Sequence, residues 1–403
     1  MVTRGSWGPR SFQVSLIVAV VLIGLTLRGP IVGIPPLLSR ISADFDFSPA
    51  VAGLVTSVPL MAFAVISPFV AVVARRVGVN RSICLALVLL GAAILVRPWI
   101  GGSGFLMMTA VVGIAITIGN VLLPVVVRRD GGPHIPKIMA ASVSAYGLGQ
   151  GLVAAIAVPL ALLVGWRWSS TLPCLIVAAA LIAWLVHWRN VQDRSSELPE
   201  DSRTVPIAAA RSWGHVWRQG AAWWLAIFFG MQALLFYTAS TWSPQQLVEM
   251  SGVSESTAGS ALSGFHILGI GGTLLVPKLL EWLGGADRAG LLVAGGWFVF
   301  FLGLFLVPQG WPLWMFIGGW VQGAGIGLGI TLIAIRPVSA DYGRHLSGMV
   351  QCVGYSLAAL GPVVIGWLLH VTAGWAVATG ALLLCAAVMG VASRQAGSSR
   401  PIG

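Results

Sequence analysis

The sequence predicts an all-α membrane protein, with twelve transmembrane helices in two pseudo-symmetric six-helix bundles. Three observations carry the prediction. The 403 residues are 57% hydrophobic and only 9% charged, against about 25% charged in a soluble domain. The apolar residues fall into twelve runs, each near the roughly 20 residues that cross a bilayer as a helix. Short matches recur between the two halves at a nearly constant offset.

The runs cover approximately 12–38, 48–74, 82–99, 102–127, 138–164, 169–188, 221–242, 257–277, 289–307, 311–335, 346–369 and 374–393, and are numbered spans 1 to 12. They are continuously apolar rather than alternating, which argues against strands of a membrane barrel. The first run is too long for a cleaved signal peptide. Between spans 6 and 7 lies QDRSSELPEDSRTVP, Gln192 to Pro206, the most polar stretch of the chain. The expected division is a bundle over 1–191, a linker over 192–210 and a second bundle over 211–403.

Pro36 recurs as Pro244, 208 residues on, and Ala52-Gly53 as Ala258-Gly259, 206 on. Tyr146 recurs as Tyr355, and Gly165-Trp166 as Gly374-Trp375, both 209 apart. Four matches at equivalent places in the spans point to a six-plus-six duplication. Transporters built from two parallel halves hold their substrate between the halves, near the membrane midplane.

The net charge of +11 raises the possibility of a nucleic-acid partner, but its distribution argues for topology instead. With the N-terminus inside, nineteen of the 23 Lys and Arg residues fall on cytoplasmic segments. Only Arg40, Arg97 and Arg167 are assigned outside, and Arg28 lies within a span. That asymmetry places both termini in the cytoplasm of a plasma-membrane protein. Cys84, Cys174, Cys352 and Cys385 are far apart in separate apolar runs, with neither metal-ligand nor disulfide spacing. Several Trp residues near span ends, such as Trp99, Trp166 and Trp311, suit an interfacial aromatic belt.

Arg28 is the outstanding candidate for function. A guanidinium stays charged in proteins, and its burial in a bilayer costs several kcal/mol, from roughly 2.5 to above 10 by different measures. All twelve acids fall in loops or at span ends, so no fixed counter-ion is expected at its depth. A small monovalent anion is the natural partner. The alternative is a structural arginine bonded to carbonyls freed near Pro30, Pro35 and Pro36.

Other polar residues form stripes. Span 4 carries Thr117, Asn120 and Pro124 on one face. Span 5 carries Ser142, Tyr146 and Gln150, and span 11 carries Ser347, Gln351 and Tyr355, both at i, i+4, i+8. These two equivalent helices read as opposite cavity walls, although polar stripes also serve as interhelical packing. Gln232, Tyr237 and Thr238 in span 7, and Gln322 and Thr331 in span 10, are further candidates. His266, mid-span 8, is a group able to carry a coupling proton near neutral pH. Gly323, Gly325, Gly327 and Gly329 alternate in span 10; they share no single helical face and suggest close packing or a bendable helix.

Four segments resemble the cyanate/2-nitroimidazole transporter family of the major facilitator superfamily: LTLRGPIVGIPPLL (Leu25–Leu38), VARRVGVNR (Val73–Arg81), GNVLLPVVVRRD (Gly119–Asp130) and GYSLAALGPVVIGWLL (Gly354–Leu369). The resemblance spans nearly the whole chain. It implies the major facilitator fold and places an arginine at Arg28 in the first helix. Thr26 stands where that family usually has Asn, His266 where a Gln is often found, and Arg75 where the wider superfamily has Asp. The first two departures bear on the substrate rather than the fold.

The expected function is secondary active transport of a small, cyanate-like anion by alternating access. The alternative is efflux of neutral aromatic compounds such as nitroimidazoles. A membrane-embedded enzyme would need a nucleophile–base pair or metal ligands converging at depth, and the acid-free spans offer neither. A sensor would need a soluble signalling domain, for which the linker is too short. The expected partners are a small, anionic substrate, a coupling proton and the lipid bilayer; a monomer without cofactor, metal or nucleic acid is expected.

Overall fold

The computed structural model describes residues 9–195, 216–337 and 340–397. Among the described residues, twelve helices are long and apolar enough to cross a membrane. Span 1 runs over Pro9–Thr26 and resumes as Leu38–Phe45 after two short turns; spans 2 to 6 are Pro49–Val77, Val79–Val96, Gly101–Asp130, Ile135–Val164 and Pro173–Ser195. Spans 7 to 12 are Gly220–Ser251, Glu255–Leu283, Ala286–Leu306, Trp311–Ile335, Ala340–Thr372 and Trp375–Ala396. The linker expected over 192–210 falls mostly outside the described residues, and its first residues continue span 6.

Most spans outrun their apolar stretches because hydrogen bonding continues where the side chains turn polar. Span 7 reaches Ser251 and span 4 reaches Asp130. Span 1 departs from expectation in the other direction. Proline lacks an N–H, clashes with the carbonyl four residues back and pushes the preceding residue out of the helical region. Pro30, Pro35 and Pro36 therefore break what was expected as one continuous helix.

The duplication extends to local chemistry. Ser48 and Ser254, 206 residues apart, each cap the following span by accepting a hydrogen bond from the backbone N–H three residues on. Trp166 donates to Asp44 at 2.9 Å, and Trp375, its counterpart 209 residues later, donates to Glu249 at 2.8 Å. Each indole thus ties the start of a half's last span to the end of its first.

Within a membrane, lipid is as apolar as leucine, so helices associate through close packing and hydrogen bonds. The glycines of span 10 show this. Gly319, Gly323 and Gly327 face span 8, whereas Gly325 and Gly329 face Gln232 and Phe229 of span 7. Alternation in sequence therefore serves two neighbours. Large apolar side chains such as Leu163, Leu175 and Leu384 are exposed on the outer surface, as lipid contact requires. Spans 2 and 11, and spans 5 and 8, pack against each other between the bundles.

Arg97 stands at the end of span 3, yet its side chain is buried rather than open to solvent. The guanidinium lies 5.1 Å from the Phe105 ring centroid, and Nη1 donates to the Pro30 carbonyl at 3.5 Å. Its aliphatic stem packs in the bundle while its head takes up a carbonyl at the break in span 1.

A Cβ at Gly323 would overlap the Gly269 carbonyl. Gly323→Val is expected to wedge spans 8 and 10 apart at a cost of about 1–3 kcal/mol or more, read as a lower thermal midpoint in detergent.

Candidate functional site

Arg28 sits at the break in span 1. Thr26 ends the first helical segment, and Arg28 caps the turn that starts at Gly29. Its carbonyl accepts from Val32 N–H at 3.1 Å. Gly149 of span 5 lies directly against the Leu25 carbonyl, so close that a Cβ would overlap it. This contact presses span 1 onto span 5 just before the break and turns Arg28 toward the second bundle.

The guanidinium meets aromatic groups rather than acids. Its Nη2 donates to the Tyr355 hydroxyl at 3.4 Å, a long and therefore weak bond. Its carbon lies 5.7 Å from the Tyr237 ring centroid and 5.9 Å from that of Phe63. The Tyr355 ring in turn packs edge-on against Phe63 and Phe229. Among the described residues no carboxylate forms an ion pair with Arg28. Ring faces attract a guanidinium by about 0.5–2 kcal/mol each, which offsets only part of the cost of burial.

Beside Arg28 lies a cavity of about 360 Å³ between the bundles. Tyr146 and Gln150 line it from span 5, Phe236 from span 7, His266 from span 8 and Gln322 from span 10. Val143, Ile270, Leu274, Ile326 and Ile330 supply apolar wall. The Gln150 Oε1, the Tyr237 hydroxyl and both ring nitrogens of His266 are buried without a hydrogen-bond partner. A buried polar atom left unpaired costs about 1–3 kcal/mol, and such atoms in a native structure mark function or an absent partner. His266 is otherwise held by edge contacts with Phe236 and Phe265.

The remaining candidates either lie apart from the cavity or are held by bonds to neighbouring helices. Gln232 is fully buried with both amide ends occupied: Nε2 donates to the Gln322 carbonyl at 3.0 Å, and Oε1 accepts from the Trp297 indole at 2.8 Å. Gln322 lines the cavity, yet its own Nε2 donates to the Phe265 carbonyl at 3.2 Å. Gln351 donates to Ser347 on its own helix at 2.8 Å and does not line the cavity; neither does Asn120, which is half-buried. Thr117 and Thr331 bond back to carbonyls of their own helices.

Phe63 and Phe236 were not singled out in the sequence, because an aromatic residue in an apolar run reads as core. For Phe236 a signal existed. The offset of 208 that relates Pro36 to Pro244 also relates Arg28 to Phe236.

Residues 14–364 match the sequence profile of the Major Facilitator Superfamily. The chain belongs to that superfamily. Among its members, the chain is 33% identical to the 2-nitroimidazole transporter of Escherichia coli K12, over 97% of each protein. It is 26% identical to the cyanate transport protein CynX of the same organism, over 89% of this chain and 91% of that protein. The nucleoside transporter NupG, of known structure, superposes with a TM-score of 0.77 at 13% identity, covering 95% of this chain and 98% of NupG. This superfamily member is thus a multi-pass membrane protein of a transporter family, with the fold its spans imply.

Packing and cavity residues should separate by stability. Gln232→Leu leaves the Trp297 indole N–H unpaired, so a loss of roughly 1–3 kcal/mol is expected, seen as a lower thermal midpoint. Arg28→Met removes a half-buried charge and should leave the ligand-free midpoint unchanged or raised, as functional sites often trade stability for activity.

Proposed function

We propose that this protein is a secondary active transporter of a small, cyanate-like monovalent anion, and that Arg28 binds the charge of the cargo. The single observation behind this reading is a guanidinium on a cavity between the bundles with no paired carboxylate among the described residues. An anion there supplies the missing counter-charge and leaves with the next turn of the cycle. Hydroxyl, amide and imidazole groups of Tyr146, Tyr355, Gln150 and His266 orient it. The residues 1–191 and 211–403 move as two bundles about this site, joined through 192–210, in a monomer of the plasma membrane with both termini in the cytoplasm. Alternating access follows from cargo binding both bundles at once, since Arg28 belongs to one and Tyr355 to the other. Ligand binding shifts such an equilibrium only through its different affinity for the two states.

Efflux of a neutral aromatic compound is the second reading, and the cavity itself favours it. About 360 Å³ walled by Phe236 and aliphatic side chains exceeds what a triatomic anion needs. It suits a nitroheterocycle whose nitro oxygens accept from Arg28. The 33% identity to a 2-nitroimidazole transporter points the same way. Resistance profiles separate the two: an anion importer sensitises cells to toxic anions, whereas an exporter protects them from nitroaromatics.

In proteoliposomes, Arg28→Ala should reduce cyanate uptake about 10- to 100-fold, as expected for loss of a charge-assisted hydrogen bond worth ~1.5–3 kcal/mol. Arg28→Lys should retain part of the activity, because it keeps the charge but loses the planar fork. Uptake unchanged in Arg28→Ala contradicts the assignment.

A further inference from the structure

The cavity beside Arg28 is polar at one end and apolar at the other, and three helices agree on which end is which. Along span 5 the lining passes from Gln150 to Val143, along span 8 from His266 to Leu274, and along span 10 from Gln322 to Ile326 and Ile330. Glycine contacts put the three series in register. Gly151 and Gly147 of span 5 face Ile267 and Ile270 of span 8, while Gly323 and Gly327 of span 10 face Gly269 and Thr273. Gln150, His266 and Gln322 therefore share one level, and Val143, Leu274 and Ile326 share another. Span 1 joins at the polar level. Gly149 lies against the Leu25 carbonyl, and the Gly149 carbonyl stands 3.2 Å from where a Cβ on Gly29 would be, so Arg28 falls beside Gln150.

The two ends also differ in access. Gln150, His266 and Gln322 are buried, and both ring nitrogens of His266 lack a partner. At the other end Leu274 is 66% and Ile330 52% exposed, so the cavity closes at its polar level and opens at its apolar one. The Thr273 hydroxyl offers nothing to a ligand there, being taken up by the Gly269 and Gly323 carbonyls at 3.0 and 2.9 Å. Ser144 stands between the two levels on span 5. His266 to Leu274 and Gln322 to Ile330 are each eight residues, about 12 Å of helix rise. A triatomic anion at Arg28 leaves this whole apolar wall, and most of the 360 Å³, to water.

We propose that the cargo is an amphipathic organic monoanion, a carboxylate on an apolar chain, held with its charge at the closed end and its chain along Val143, Ile270, Leu274, Ile326 and Ile330 toward the mouth. The proposal rests on the anion reading above and deepens it: Arg28 keeps its role, and cyanate fills the polar end alone. A carboxylate matches the guanidinium fork, and an N–H of His266 is free to donate to it. The charge and the excess volume are then used by one cargo. Burial of the chain contributes about threefold to fourfold in Kd per CH2.

The test measures ligand-induced stabilisation of the purified full-length protein in detergent. The ligands are cyanate, acetate, butyrate, hexanoate, and hexanamide as the uncharged counterpart of hexanoate. In the parent, Kd should fall about threefold to fourfold per added CH2 from acetate to hexanoate. Hexanoate should bind at least about tenfold tighter than hexanamide, as expected for a charge-assisted hydrogen bond, and Arg28→Ala should abolish that difference. Leu274→Ser combined with Ile330→Ser, at two exposed positions that tolerate the change, should weaken hexanoate roughly threefold to tenfold more than acetate. Equal, Arg28-dependent binding of cyanate, acetate and hexanoate overturns the amphipathic cargo and leaves the anion reading standing. Equal stabilisation of the parent and Arg28→Ala by both hexanoate and hexanamide overturns the two together. A gain from acetate to hexanoate that survives unchanged in the double serine variant overturns the placement of the chain.

Discussion

Solvating a permanent charge within a bilayer sets the terms for the rest of this structure. The break in span 1 holds the Arg28 guanidinium at the cavity rather than in packed core. Two aromatic rings, of Phe63 and Tyr237, and one long hydrogen bond to Tyr355 offset part of the cost. Two of those groups, Tyr237 and Tyr355, belong to the opposite bundle. The charge is therefore stabilised only while the two halves stay in register around it, and the proposed cargo completes what the protein leaves unfinished.

The same economy of close contact holds the bundles together. Without a hydrophobic drive between helices in lipid, Gly149, Gly323 and Gly53 let backbones approach until carbonyl oxygens touch the neighbouring helix. Such contacts fix the register of the helices they join. Within a bundle they are reinforced by bonds such as Trp297 to Gln232. Between bundles, among the described residues, they are supported by the hydroxyl links Thr241 to Thr56 and Ser263 to the Gly151 carbonyl and by one half-exposed ion pair, Arg40–Glu255.

How much of this was legible in the sequence depends on the kind of signal. The spans and the duplication were legible because hydrophobic length and a constant offset survive without tertiary detail. Arg28 was legible because its charge is anomalous wherever the helix turns. The prolines of span 1 announced a break whose geometry they did not determine. The burial of Arg97 was not legible, since a basic residue at a span end looks like a loop residue until its stem and head find partners inside. Gln232 and Gln322 shared the same polar signature, yet one is locked between Trp297 and span 10 and the other borders the cavity. Only the rotation of each helix about its axis separates them, and apolar runs without a polar face do not encode that rotation. Phe63 was hidden for the same reason.

Ligand-induced thermal stabilisation of purified protein tests the central claim most directly, because a ligand that binds the folded state alone raises stability in proportion to the logarithm of its concentration over Kd. Titrations with cyanate, other small monovalent anions and nitroheterocycles on the parent and on Arg28→Ala compare charge recognition with ring recognition. The account predicts a concentration-dependent rise in the parent with at least one small anion, lost in Arg28→Ala while the variant remains folded. Equal stabilisation of both proteins would contradict it.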